Sequence, residues 1–147
     1  MAPRRDVWVV RVGTTKYGRS DRSARELMTA ASQAALRKSA VDPAKVGSAC
    51  FGNAFGVAEK QVHLGPLIMT ALGLDTKPAA VVETACASGG TAFHHGYREV
   101  AGGFSDMVLV GGVERVSMLD TLTATTYFPY GSEYTYEGGT GCSFTVL

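Results

Sequence analysis

The sequence predicts an α/β protein in which four strands alternate with three helices, β-α-β-α-β-α-β, around a mostly parallel sheet. Three observations carry that expectation. Short apolar runs rich in β-branched residues recur at 7–12, 46–51, 79–83 and 107–113, each about the length of a strand. The intervening segments repeat apolar residues at helical spacing. Glycine is abundant, 18 in 147 residues, with pairs at 89–90, 102–103, 111–112 and 138–139. Glycines at element ends suit tight turns and close helix–sheet approaches. Strands alternating with helices through right-handed crossovers give a parallel sheet with flanking helices.

Val7–Val12 (VWVVRV) reads as the first strand, ended by Gly13. Ser23-Ala24-Arg25-Glu26 has the S-x-x-E form of a capping box, opening a helix that runs to about Ala40. Leu27, Met28, Ala31, Ala34 and Ala35 form its apolar face, and Asp42-Pro43 closes it. Val46–Phe51 reads as a second strand, Gln61–Leu72 as a second helix, and Ala79–Glu83 as a third strand. The third helix starts at or near Cys86 and stops at Gly102-Gly103, with Phe93, Gly96, Tyr97 and Val100 at i, i+3, i+4 and i+7. Met107–Val113 (MVLVGGV) is almost uniformly apolar, as a strand buried on both faces is. The expected division is an α/β domain over 1–118 and the start of an incomplete loop region over 119–147, where Thr, Tyr, Gly and Ser show no period.

The bulk properties exclude several classes. With 46% hydrophobic and 18% charged residues, the chain reads as globular. Its formal net charge is +1, from 14 Lys+Arg against 13 Asp+Glu, and no basic stripe suggests nucleic acid. No apolar run approaches the 18 residues that a membrane span needs, and MAPRRD lacks the apolar core of a signal peptide. Cys50, Cys86 and Cys142 are odd in number and far apart, which argues against a disulfide framework or a zinc site and for a reducing compartment. The resulting expectation is a soluble cytoplasmic protein without a metal. Neither G-x-G-x-x-G nor a P-loop motif occurs, so the glycine runs do not point to a nucleotide loop.

Cys86, in ETACASGG at 83–90, is the candidate for chemistry. It directly follows an apolar strand and opens a helix rich in small residues that is expected to be buried. A thiol at that point meets the positive end of the helix and its unpaired N–H groups. Both favour the thiolate, which is the nucleophile, and the same N–H groups can stabilise an oxyanion when sulfur attacks a carbonyl. The competing reading is a buried Cys acting as a small hydrophobe.

VETACASGG (82–90), GGFSDMVLVGGVERVSML (102–119), GNAFG (52–56) and Gln61 together resemble the thiolase family, in order and spacing over about residues 6–119. The ACASGG wording is most similar to sterol-carrier-protein-type and archaeal thiolases. The resemblance implies a thiolase-like N-terminal domain and ping-pong acyl transfer. The family's acyl-accepting Cys falls on Cys86, which takes an acyl group from a 3-oxoacyl-CoA or acyl-CoA and passes it to CoA or acetyl-CoA. Coenzyme A and acyl-CoA enter as substrates, with no tightly bound cofactor, because the thioester itself activates the carbonyl and the α-carbon. It also implies a homodimer or higher oligomer, or a partner that supplies a second half, since thiolases draw a catalytic His and a second Cys from a second half whose motifs do not occur here.

The remaining candidates do not replace those groups by motif. His63 falls in the second helix, and His94 lies roughly 12 Å along the third helix from Cys86 at about 1.5 Å per residue, too far for a hydrogen bond; His95 follows it. Cys142, in GGTGC, reads as a loop cysteine. Tyr127, Phe128, Tyr130, Tyr134 and Tyr136 suit an acyl or pantetheine tunnel or a subunit contact. Two alternatives stand beside the thiolase reading: a ketoacyl synthase of the same superfold, and a non-catalytic thiolase-fold interaction subunit. GGVERVSM and GNAFG favour thiolase over synthase.

Overall fold

A computed structural model of the protein describes residues 5–37 and 42–137. Among them, three parallel strands form one sheet in the order β2-β1-β3: β1 is Ser48–Gly52, β2 Ala79–Val82 and β3 Val108–Gly112. Cys50 stands opposite Ala80 on one side and Val110 on the other. Helix α1 (Ala24–Arg37) precedes β1, α2 (Leu64–Ala71) joins β1 to β2, and α3 (Ser88–Ala101) joins β2 to β3. The α/β class and the parallel sheet are as the sequence predicts.

The capping box at the start of α1 is formed. Ser23 N–H donates to Glu26 Oε2 (2.8 Å) and Glu26 N–H donates to Ser23 Oγ (3.3 Å), so two otherwise orphaned amides are satisfied reciprocally. The bond to Ser23 holds the Glu26 carboxyl below its usual range. Ala24, Met28 and Ser32, spaced four apart, form the fully buried line of α1, and the expected end near Ala40 lies outside the described residues.

Every residue of β1 is buried, because helices cover both of its faces. Ala49 and Phe51 join Met28, Leu64, Ile68 and Met69 in the core beneath α1 and α2. Alternation turns Ser48, Cys50 and Gly52 the other way, toward α3: Ser48 Oγ donates to Glu99 Oε2. Along α3 the buried residues are Ser88, Ala92 and Gly96, again one sheet-facing line. A Cβ on Gly96 would sit 2.4 Å from Val110 Cγ1, so the missing side chain is what lets helix and strand approach.

Three expectations need correction. Val7–Val12 is not a strand: it has no ladder partner among the described residues, and Val9, Val10 and Val12 are exposed. β-propensity alone does not make a strand without an edge to pair with. The helix after Cys86 is not buried all round, since Phe93 and Tyr97 are 51% and 40% exposed. Residues 121–137 are not structureless. Asp120 accepts from Thr123 N–H (2.9 Å) as the N-cap of α4 (Thr121–Tyr127), and a 3-10 turn over Phe128–Gly131 and a short helix α5 (Tyr134–Glu137) follow. Phe55 meets Phe128 edge-on at 5.4 Å between ring centroids, so this region packs against the turn after β1.

Candidate active site

All three strands end at one edge of the sheet, and in open parallel sheets ligands bind beyond the carboxyl ends of the strands. Three loops converge there: 53–56 after β1, 83–87 after β2, and 113–115 after β3. Cys86 is exposed in the second of them, two residues ahead of the first helical residue of α3. The second helix likewise starts a little later than the sequence suggests, so His63 is its N-cap, with φ +58°, rather than an interior residue.

The turn that carries Cys86 is tight. Ala85 has φ +48°, a left-handed conformation that costs a residue with a Cβ about 1–2 kcal/mol. Local bonds over-determine it. Ser88 Oγ donates to Ala85 O (2.7 Å) and accepts from Thr84 N–H (2.9 Å), Ala87 N–H donates to Thr84 O (3.0 Å), and the Thr84 and Thr91 hydroxyls are bonded at 2.7 Å. Ala87, the N-cap of α3, has no side chain to accept from the first turn. Ser88 N–H is taken up by Ala85 O (3.1 Å) and Thr91 N–H by Ala87 O (2.9 Å), so of the first-turn amides those of Gly89 and Gly90 are left for a ligand or water.

Glycines set how far the helix after Cys86 can descend. A Cβ on Gly52 would sit 2.5 Å from Ser88 C and 2.6 Å from Gly89 N, so the end of β1 and the start of α3 are in backbone contact. Gly89 and Gly90 themselves face open space, with nothing within 4 Å of an added Cβ.

The residues after β3 were missed as functional candidates in the sequence. Glu114 reaches across to the turn after β1 and accepts from Ala54 N–H, Phe55 N–H (3.1 Å) and Asn53 Nδ2 (3.4 Å); Asn53 Nδ2 also donates to Val113 O (2.8 Å). Next to it, Arg115 pairs with Glu59 at 3.4 Å, both side chains largely buried, and Glu59 accepts from Ala24 N–H at the start of α1. The legible signal was position: two opposite charges directly after a fully apolar strand at the sheet's carboxyl edge.

Burial pushes the Glu114 carboxyl above its usual 4.5, more than the bonds from Ala54 and Phe55 hold it down, and the nearby Glu59 and Glu83 add to the rise. The folded chain therefore takes up this proton at a higher pH than the unfolded chain. Glu114 adds stability below 4.5, and that stability is lost as pH rises through its folded-state value. Urea midpoints followed from neutral pH to 4.5 should rise more for the native chain than for Glu114→Gln. Parallel profiles would exclude the linkage.

His94 and His95 are exposed on α3, and His63 is exposed as well. Cys50 is buried in β1, and burial, with Glu99 second, raises its thiol above the usual value. Cys142 lies outside the described residues. Of the aromatic group, Tyr127–Tyr130 and Tyr130–Tyr134 are in ring contact at 5.9 and 5.4 Å, while Tyr130 and Tyr134 remain more than half exposed. The described residues contain no helix long and apolar enough to cross a membrane.

Comparison with known proteins agrees with this architecture. The family model "Thiolase, N-terminal domain" matches residues 7–140. The acetyl-CoA acetyltransferase of Methanothermobacter thermautotrophicus is 37% identical over 145 residues, covering 97% of this chain and 37% of that protein. Sterol carrier protein 2 of Gallus gallus is 32% identical over 119 residues, covering 77% of this chain and 21% of that protein. The crystal structure of human mitochondrial 3-ketoacyl-CoA thiolase in complex with CoA superposes with a TM-score of 0.69 at 27% identity, over 74% of this chain and 29% of that one. The chain thus spans little more than a third of the length of the acetyltransferase it matches. With a parallel sheet, a cysteine turn at its carboxyl edge and a family match over nearly its whole length, the chain belongs to the thiolase family, as an N-terminal part.

Proposed function

We propose that the chain supplies the nucleophile of a thiolase-type acyl-CoA C-acyltransferase, with Cys86 as the acyl acceptor. The observation that carries this reading is the turn at 84–88: an exposed thiol held at the sheet's carboxyl edge, just ahead of a helix whose N-cap has no side chain to offer its first-turn amides. Sulfur attacks the thioester or 3-oxo carbonyl of an acyl-CoA, the carbonyl oxygen takes up the negative charge, and collapse expels CoA or the acetyl-CoA enolate, leaving an acyl-Cys86 thioester. A second thiol or carbanion then accepts the acyl group. Coenzyme A and acyl-CoA are substrates, with no tightly bound cofactor.

The cycle also needs a base for the second step and further oxyanion donors. His63, His94 and His95 give no sign of supplying them, so the chain works with further thiolase polypeptide, as a homodimer or with a partner. The uncovered side of α3, with Phe93 and Tyr97 exposed, supports such an association, and a cytoplasmic setting fits the free thiols. A monodisperse monomer by light scattering would count against it.

Trapping tests the chemistry. Acetyl-CoA added to the chain co-expressed with the remainder of a thiolase should leave a hydroxylamine-sensitive acetyl group on the peptide containing Cys86, and none in Cys86→Ala. The 147-residue chain alone should show thiolysis near background, because losing a general base alone costs about 10²–10⁴-fold. Acetylation at another residue, or robust thiolysis by the chain alone, would overturn the assignment.

A further inference from the structure

The bonds that shape the cysteine turn come mostly from its helix side. Ala87 N–H donates to Thr84 O (3.0 Å) and Ser88 N–H to Ala85 O (3.1 Å), and Ser88 Oγ bonds both Thr84 N–H and Ala85 O. The strand side contributes through Glu83, the first residue after β2, whose Oε1 accepts from Ala85 N–H. A side chain that bonds the backbone N–H two residues on is the arrangement by which Asp and Asn set tight turns; Glu83 does it with one more methylene.

The Glu83 bond and the Ala87 bond grip the two polar atoms of one peptide unit. The link from Thr84 to Ala85 is rigid and planar, with Thr84 O on one side and Ala85 N–H on the other. Half a turn of that plane would alter mainly ψ of Thr84 and φ of Ala85. It would carry Ala85 from its φ of +48° into the extended region, which is open to any residue. The left-handed strain of Ala85 therefore has a nearby release. The flanks are fixed, so the release is local: Val82 O accepts from Asn53 N–H (3.2 Å) on the strand side, and Ala85 O is held by Ser88 on the helix side.

A carboxylate opposes that flip in two ways. In the observed turn it gives Ala85 N–H a charged acceptor, which makes the stronger kind of hydrogen bond. In the flipped turn Thr84 O would face it instead, a carbonyl against a group that only accepts, so the alternative is penalised as well as the observed turn favoured. Glu83 is exposed and lies outside the buried core.

We infer that Glu83 is a positioning residue for the nucleophile: its carboxylate latches the Thr84–Ala85 peptide in the orientation that aims Cys86 at the sheet's carboxyl edge. Without the latch the peptide turns over, Ala85 relaxes, and the sulfur stays exposed but loses its line to the thioester. The inference rests on Cys86 being the acyl acceptor, and it names the group that keeps it aimed.

The test uses the chain co-expressed with the remainder of a thiolase and compares two reactions of the same sulfur. Glu83→Ala, and Glu83→Met, which keeps the length and removes the acceptor, should slow single-turnover acetylation of Cys86 by acetyl-CoA at least tenfold. Alkylation of Cys86 by iodoacetamide, which needs exposure but no alignment, should change less than threefold. Glu83→Asp, an acceptor-only group that still reaches the amide two residues on, should bring acetylation back to within about threefold of native. Hydrogen exchange at the Ala85 amide should quicken at least tenfold in the Ala and Met variants and not in the Asp variant. Native acetylation rates in Glu83→Ala and Glu83→Met would overturn the inference, as would acetylation and alkylation falling together, or an Asp variant as slow as the Ala variant. A native assembly that takes no acetyl group on Cys86 would instead remove the acyl reading itself, and the inference with it.

Discussion

Iodoacetamide is expected to alkylate Cys86 at least ~100-fold faster than Cys50, and Cys86→Ser in the assembled enzyme to lower acyl transfer by roughly 10⁴-fold or more, the scale of deleting a catalytic nucleophile. The labelling contrast follows from placement. Cys50 sits in the central strand, 3% exposed, and reacts only when the sheet opens; an opening free energy of about 3 kcal/mol already gives two decades. Its raised thiol value reduces the reactive thiolate further. Cys86 is exposed on a turn outside the regular elements and needs no opening. Peptide mapping by mass spectrometry against time reads both rates in one sample. Equal rates would show that the turn does not present the sulfur as described.

Gly52→Ala should destabilise the chain by about 2 kcal/mol or more, lowering the melting temperature by roughly 4–8 °C. The added methyl would meet Ser88 C and Gly89 N at 2.5 and 2.6 Å. These are backbone atoms at the start of α3 and cannot rotate aside, so the helix must lift from the sheet and carry the cysteine turn with it. Gly89→Ala is the contrast, at a residue whose own backbone nitrogen belongs to that contact. Nothing lies within 4 Å of its added methyl, and replacing a helical glycine by alanine gains up to about 1 kcal/mol. Calorimetry on the pair distinguishes close approach from a general intolerance of substitution. Similar melting points would rule out the contact between β1 and α3 as a constraint.

The parts of the fold that were legible in the sequence are those in which local preference and burial agree. The Ser23–Glu26 box, the apolar runs of β1, β2 and β3, and the small-residue face of α3 each state their structure twice, once by residue type and once by period. Val7–Val12 states it only once. Its β-branched side chains suit a strand, but whether a strand forms depends on a neighbouring edge, which no local pattern encodes. The helices after Asp120 were hidden for the opposite reason. TLTATTY is poor in strong helix formers, and the Asp120–Thr123 cap, not periodicity, starts α4.

At the candidate site, the position of Cys86 in the turn between β2 and α3 was legible because a strand, a cysteine and small residues follow one another directly. Glu114 and Arg115 were not. Their roles depend on a turn some 60 residues away, and the bonds to Ala54 and Phe55 arise only when the parallel register brings the ends of β1 and β3 side by side.

The left-handed Ala85 has a consequence for anyone engineering this chain. A single-base change turns an alanine codon into a glycine codon, and Ala85→Gly would relieve strain of about 1–2 kcal/mol, partly offset by the freedom glycine gains when unfolded. A screen for heat resistance, scored by melting temperature, should return that change among its easiest gains. The same residue immediately precedes Cys86, so relaxing it loosens the turn that aims the sulfur. Selection for thermal robustness and selection for acyl transfer would pull this one codon in opposite directions.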